Sequence, residues 1–486
     1  MGKAYQRPPP PIVLRLGPLA FELFDILFLL WQAVMVVLYC TKVTYSQDVT
    51  SLADERGVAN EYITYTGIAF MMYIGFGYLM TFLRRNGFAA VGMTFMVSAV
   101  VMEWGILVQT FLEHMLEAAH GEVEPYLHLN LRSLILGMFM VAPVLISFGA
   151  IIGKVSSYEL MFVAFFEVIF VGINNYIANG RGTLLEAVDM GGSVFIHLFG
   201  AYFGLAVSYV LCHNREKAKA YARHSKNGSS YNSDLFSLLG TIALFIYWPS
   251  FNSALAKYNV DSGFSQSRVI INTSLAQSAG AFTTFIFSKL LRRAKHGSAR
   301  GLYDLVDIQN ATLAGAVSIG CASDLVVGPG GAMAVGITGA LISTAGFVFL
   351  QPFLVNRLGL HDTCGIHNLH GLPGLFGGIV GIIAVAASRN DVYGTPGEIF
   401  YPHGANQPVY QLASVAITLA FAIISGAFTG LLVLAVRKHL NPIPDEYLFE
   451  DIAEFETPEE EEDSQNSGKE KHVESLLVER PSKEIV

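Results

Sequence analysis

Asp189-Met-Gly-Gly192-Ser-Val-Phe-Ile-His197 and Asp362-Thr-Cys-Gly365-Ile-His-Asn-Leu-His370 are two versions of one pattern, 173 positions apart. In each, a glycine stands three residues after the aspartate and a histidine eight after it. A further glycine, Gly204 or Gly377, stands seven beyond the histidine. Each stretch also opens a long apolar run. Working outward with Gly, Pro and charge clusters as punctuation, the chain divides into twelve such runs, near 19–40, 61–83, 88–112, 131–153, 158–177, 189–212, 235–255, 267–291, 307–327, 331–354, 363–387 and 410–436. The paired stretches open the sixth and eleventh. An offset of five spans forces the two copies into opposite orientations, which is the mark of an inverted repeat. The expected fold is therefore an all-α polytopic membrane protein: an extra N-terminal helix, two five-helix inverted repeats at about 61–212 and 235–387, and one closing helix.

Composition supports that reading. Of 486 residues, 52% are hydrophobic and 14% charged, against about 25% charged in an ordinary soluble domain. Mean hydropathy is +0.47. The net charge of −9 comes from the end of the chain, where 15 acidic and 4 basic residues follow His439. The remainder is nearly balanced, so nothing points to nucleic acid. With the N-terminus inside, nineteen Lys and Arg fall on the inner side and seven on the outer, which places both termini in the cytoplasm. Residues 1–18 then form a cytoplasmic N-terminus, 19–439 a transmembrane domain, and 440–486 an acidic, disordered cytoplasmic tail with its charge run at Glu459–Asp463. The tail is read as solubilising, or as a site for a cytoplasmic partner.

Cys40, Cys212, Cys321 and Cys364 are scattered without a CxxC pair, so buried, inert thiols are expected rather than a disulfide framework or a zinc cluster. In the first span Glu22, Asp25 and Gln32 share one stripe, which should turn toward protein because polar groups are costly in lipid. Gly426-xxx-Gly430 allows close helix approach.

Eight residues of helix rise about 12 Å, and a hydrocarbon core is about 30 Å thick. His197 and His370 thus approach the midplane from opposite faces, where repeat-related helices meet around a substrate. His367, three residues from His370, fits better as a packing neighbour; a metal pair with His370 lacks the further ligands it needs. Asp189 and Asp362 sit where helix N-caps belong, and a carboxylate at a pore mouth can also stabilise an arriving cation. No cofactor is expected.

These residues resemble the ammonium transporter and Rhesus (Rh) glycoprotein superfamily, the Rh branch in particular. The resemblance runs over roughly 18–440. It rests on Phe-Gly-Ala-Ile-Ile-Gly-Lys-Val-Ser at 148–156, the two histidine stretches, Tyr-Trp-Pro-Ser-Phe-Asn-Ser-Ala at 247–254 and Ile-Gln-Asn-Ala-Thr-Leu-Ala-Gly at 308–315. It implies a non-enzymatic homotrimer in the plasma membrane with a narrow apolar pore through each subunit. It further implies a pore histidine pair, His197 and His370, and an outer phenylalanine gate, Phe139 and Phe251, with Asn252 beside the gate as a secondary candidate. An acidic residue frequent in the outer vestibule of Rh proteins is Asn175 here, which weakens cation recruitment. The permeant would be ammonia, formed from ammonium deprotonated at the mouth, with carbon dioxide as a second gas. Alternatives are an electrogenic ammonium carrier, a non-conducting Rh-type subunit, a membrane metalloenzyme, and an ammonium or gas sensor signalling through the tail.

Overall fold

The computed structural model describes residues 13–16, 19–50, 55–119, 126–179, 183–212, 214–258, 263–296, 301–387 and 402–457. Its principal helices are α1 (Leu23–Lys42), α2 (Ala59–Phe82), α3 (Gly87–Ala119), α4 (Leu131–Ile151), α5 (Ser157–Ala178), α6 (Ser193–Cys212), α7 (Tyr231–Ser253), α8 (Gly263–His296), α9 (Leu305–Ala322), α10 (Pro329–Leu358), α11 (His367–Ala387) and α12 (Gln407–Val436). The protein is an all-α, multi-pass membrane fold. Two small two-stranded sheets, 13–16 with 19–22 and 43–45 with 127–129, are appended to it.

Twelve spans were expected; among the described residues, eleven helices are long and apolar enough to cross a membrane. The exception is α8, the eighth, whose 34 residues include Asn272, Thr273, Gln277, Thr283 and Thr284. All five are buried. They face protein rather than lipid, so the helix needs less hydropathy than its neighbours. Asn272 donates to Ser323 O at 2.9 Å.

The first helix begins at Leu23 rather than 19, because residues 19–22 pair as a strand with 13–16. Its polar stripe does turn toward protein. Tyr158 OH donates to Asp25 Oδ1 at 2.7 Å, and Gln32 Nε2 donates to Glu103 Oε2 at 3.1 Å. The Glu22 side chain lies outside the described residues. Trp31 stands edge-on to Trp104 with centroids 5.1 Å apart, so α1 lies against α3 and α5.

Local chemistry sets the other helix starts. Asn130, Ser156 and Ser230 form capping boxes with Ser133, Glu159 and Ser233. Small residues bring helices together: a Cβ at Gly430 would stand 2.9 Å from Val210 Cβ, and one at Gly200 2.7 Å from Pro143 O.

Two expectations are corrected. Disorder was expected from residue 440, yet 440–457 pack onto the helix ends. Phe449, fully buried, lies against Gly153, and its N–H donates to Gly153 O at 2.9 Å. Asp451 accepts from Phe88 N at 2.8 Å and Ala89 N at 2.7 Å, donors in the first turn of α3 that have no intrahelical acceptor. Burial raises its carboxyl above the ordinary range, and those N–H groups oppose the rise. Apolar residues spaced through an acidic stretch are what the composition argument overlooked. The Glu459–Asp463 run lies outside the described residues. Cys40, expected to be buried, is exposed on the protein surface, whereas Cys212 and Cys321 are buried and Cys364 partly so.

Candidate functional site

The duplicated stretches fold alike. After Asp189, Gly192 adopts φ +68°, and after Asp362, Gly365 adopts φ +75°, a left-handed conformation that glycine takes without Cβ strain. Each aspartate then caps the helix that follows. Asp189 Oδ2 accepts from Val194 N at 2.8 Å and Phe195 N at 2.9 Å. Asp362 Oδ1 accepts from Gly365 N and Ile366 N at 3.0 Å each, and its Oδ2 from His367 N at 2.9 Å. Both helices open with a widened π turn, at Ser193–Leu198 and His367–Gly371, a distortion found mostly at functional sites.

These turns bring the two histidines together. His197 Nδ1 lies 3.1 Å from His370 Nδ1, and the rings are 5.1 Å apart and 14° from parallel. Both are buried. Trp248 stacks on His197 at 5.6 Å and 28°, and Phe76 on His370 at 6.0 Å and 19°. The pair thus lies edge to edge and nearly in one plane, with one aromatic ring stacked on each member. Only one proton fits between two Nδ1 atoms, so one ring carries its hydrogen on Nδ1 and presents Nε2 as an acceptor. The other accepts at Nδ1 and presents Nε2–H as a donor. His197 Nε2 is buried and has no hydrogen-bond partner among the described residues.

Phe139 and Phe251 meet edge-on at 4.7 Å and 60°, and Phe251 lies 6.0 Å from His197. Beyond them opens a first cavity of about 440 Å³, lined by Phe139, Asn175, Asp189, Glu113, Glu186 and Arg132 among others. A second cavity of about 380 Å³, lined in part by Lys219, Arg223, His361 and Asp362, lies where α11 begins.

His367 takes other partners, Tyr202 OH and Asn368 Oδ1, each at 3.4 Å. Asn252 is spent on packing, donating to Thr273 Oγ1 at 3.1 Å and Ala316 O at 3.3 Å. Among the described residues no group of three His, Cys, Asp or Glu could hold a metal ion.

The sequence reading gave no role to Trp248, Phe76, Glu113, Glu186, Lys154 or His361. Trp248 and Lys154 stood inside quoted motifs; Phe76 carried no signal, since only the tertiary fold brings α2 to the histidines.

A sequence profile described as the Ammonium Transporter Family matches residues 23–459. The chain belongs to the ammonium transporter family. It is 38% identical over 453 residues to the ammonium transporter Rh type B of Mus musculus, covering 90% of this chain and 94% of that one. It is 39% identical over 452 residues to the Rh type C protein of Homo sapiens, covering 89% of each. Among solved structures, the Rh50 channel of Nitrosomonas europaea superposes with a TM-score of 0.68 at 31% identity, over 87% of this chain and 99% of that one. Mep2 of Saccharomyces cerevisiae, 19% identical, shares the fold with a TM-score of 0.62, over 80% of this chain and 87% of that one. Family membership identifies a membrane transporter rather than an enzyme.

Proposed function

We propose that the chain conducts ammonia through each subunit of a homotrimer in the plasma membrane, between an outer mouth at the first cavity and a cytoplasmic mouth at the second. The observation that carries this reading is the histidine pair, buried with an aromatic ring stacked on each member and placed behind the phenylalanine pair. A bare ammonium ion loses its hydration in such a passage at a cost of several kcal/mol or more. Ammonia crosses with much less. In the outer cavity ammonium loses a proton to water, with Asp189, Glu113 and Glu186 holding the cation near the aromatic faces. The neutral molecule then meets a matched surface. Its N–H donates to the Nε2 acceptor of one histidine, and its lone pair accepts from the Nε2–H of the other. At the cytoplasmic side it takes up a proton from water.

In this reading both termini are cytoplasmic, and the tail is where a cytoplasmic partner would bind. Carbon dioxide, also neutral, is a second permeant. Stopped-flow pH measurements on proteoliposomes, with an ammonium gradient and then a carbon dioxide gradient, test both. An alkaline shift of the lumen that is faster than in empty liposomes is the expected result. A current that saturates with ammonium and accounts for all of the flux would instead favour the electrogenic carrier.

A further inference from the structure

The two cavities carry opposite charge. Around the first stand the carboxylates Glu113, Glu186 and Asp189 against the guanidinium of Arg132. Around the second stand Lys219 and Arg223 against Asp362, although Lys219 also pairs with Glu216 at 2.8 Å. Both aspartates are met by backbone N–H groups, Asp189 by two and Asp362 by three, so the contrast rests on Glu113 and Glu186 at the first cavity and Lys219 and Arg223 at the second.

Behind the second cavity lies Lys154, only 4% exposed, in the turn between α4 and α5. An ammonium group has three N–H donors and no acceptor, and Nζ meets three acceptors. These are Ser208 Oγ at 2.9 Å, His361 Nδ1 at 3.1 Å and His361 O at 3.1 Å. Tyr221 adds its aromatic face at 6.0 Å. All four partners are neutral, and among the described residues no carboxylate lies within ion-pair distance of Nζ. The charge is therefore solvated by dipoles, and Asp362 acts on it only from beyond ion-pair distance. His361, its direct contact, forms part of the cavity wall.

Resting on the ammonia reading above, we infer that Lys154 is a specificity-determining residue that rejects cations at the second mouth. A fixed positive charge beside a narrow passage raises the barrier for every cation and leaves a neutral molecule unaffected. The first mouth gathers ammonium. The second expels it once it has re-formed, so the charge difference both favours the neutral permeant and clears the product.

The test combines two readouts, stopped-flow ammonia entry and currents across bilayers with ammonium and then potassium as the sole cation. They are applied to the wild type, Lys154→Met, and the double variant Lys219→Glu with Arg223→Glu. Lys154→Met should raise the cation current per inserted protein about tenfold for both cations, with ammonia entry within about twofold of the wild type. The double variant, at the cavity rim, should raise it less. Unchanged currents in an inserted Lys154→Met protein overturn the inference. Should that variant fail to insert, Lys154→Gln, which keeps a hydrogen-bond donor without the charge, decides, and an unchanged current in it overturns the inference. A wild type that passes no ammonia overturns the ammonia reading alone, because the currents still report the cation barrier.

Discussion

The stretches 189–197 and 362–370 share a backbone but not surroundings. Each has the same aspartate cap, the same left-handed glycine and the same π turn before its histidine. Yet a Cβ at Gly192 would meet first the side chain of its own Ile196, at 2.6 Å, whereas one at Gly365 would meet first, and more closely, the buried ring of Phe347 from α10. Asp189 faces an acidic cavity, and Asp362 a basic one backed by Lys154. Duplication thus fixed where the histidines go, while helices packed against each copy made the two ends different.

The sharpest way to break this comparison is to add one methyl group to each glycine. Alanine at either position pays the left-handed strain of roughly 1–2 kcal/mol. Both also overpack, at 192 against the flexible end of Ile196 and at 365, more closely, against the rigid ring of Phe347, where the added cost is about 1–3 kcal/mol. Gly365→Ala should therefore lose most inserted protein and Gly192→Ala much less, as read by fluorescence-detected size-exclusion chromatography. Equal losses would mean that the surroundings of the two copies matter less than their shared backbone.

Next in size is the effect on flux. His197→Ala or His370→Ala should slow ammonia entry per inserted protein by about tenfold, a barrier change of about 1.4 kcal/mol. His367→Ala, whose ring contacts are Tyr202 and Asn368, should stay within about twofold of the wild type. Equal losses at 367 and 370 would refute the pairing of His370 with His197. An acidic residue at 197 or 370 should shift selectivity toward charged ammonium, seen as a current.

Asp451→Ala removes an acceptor from two N–H donors at the start of α3, so the midpoint of thermal unfolding should fall by an amount set by about 1–2 kcal/mol. Flux at low temperature should be unchanged, because Asp451 touches neither cavity. A flux loss with unaltered stability would show that 440–457 acts on conduction directly.

The smallest effect is expected from pH at the second mouth. Burial lowers the Lys154 ammonium from its ordinary value, while Cys212, Asp362 and Cys364 oppose the shift. Burial, and then Lys154 itself, hold His361 well below its ordinary value. His361 thus stays neutral through the physiological range. A lowered lysine keeps its charge at low pH and loses it as pH rises through the shifted value, so cation leakage should grow as that side is made alkaline. The dependence should vanish in Lys154→Met. Leakage that grows on acidification would contradict the assignment.

The sequence by itself determined the apolar runs and the meeting of His197 with His370, because these depend on residue spacing and on the distances set by helix rise. It also determined the polar stripe of α1, since the cost of polar groups in lipid admits one orientation. What the spacing could not supply were contacts between helices distant in sequence. Phe76 and Trp248 flank the histidines from α2 and α7, for reasons no local pattern encodes. α8 was legible as a helix, but its reduced hydropathy was tolerable only because its neighbours cover Asn272 and Gln277. Residues 440–457 read as a solvated tail by charge, and fold because Phe449 finds a buried site beside Gly153 and Asp451 a helix N-terminus. By sequence Lys154 was one of nineteen basic residues expected on the inner side, until the tertiary structure surrounded it with neutral acceptors. Burial and pairing are properties of what packs around a residue, and the tertiary structure decided them.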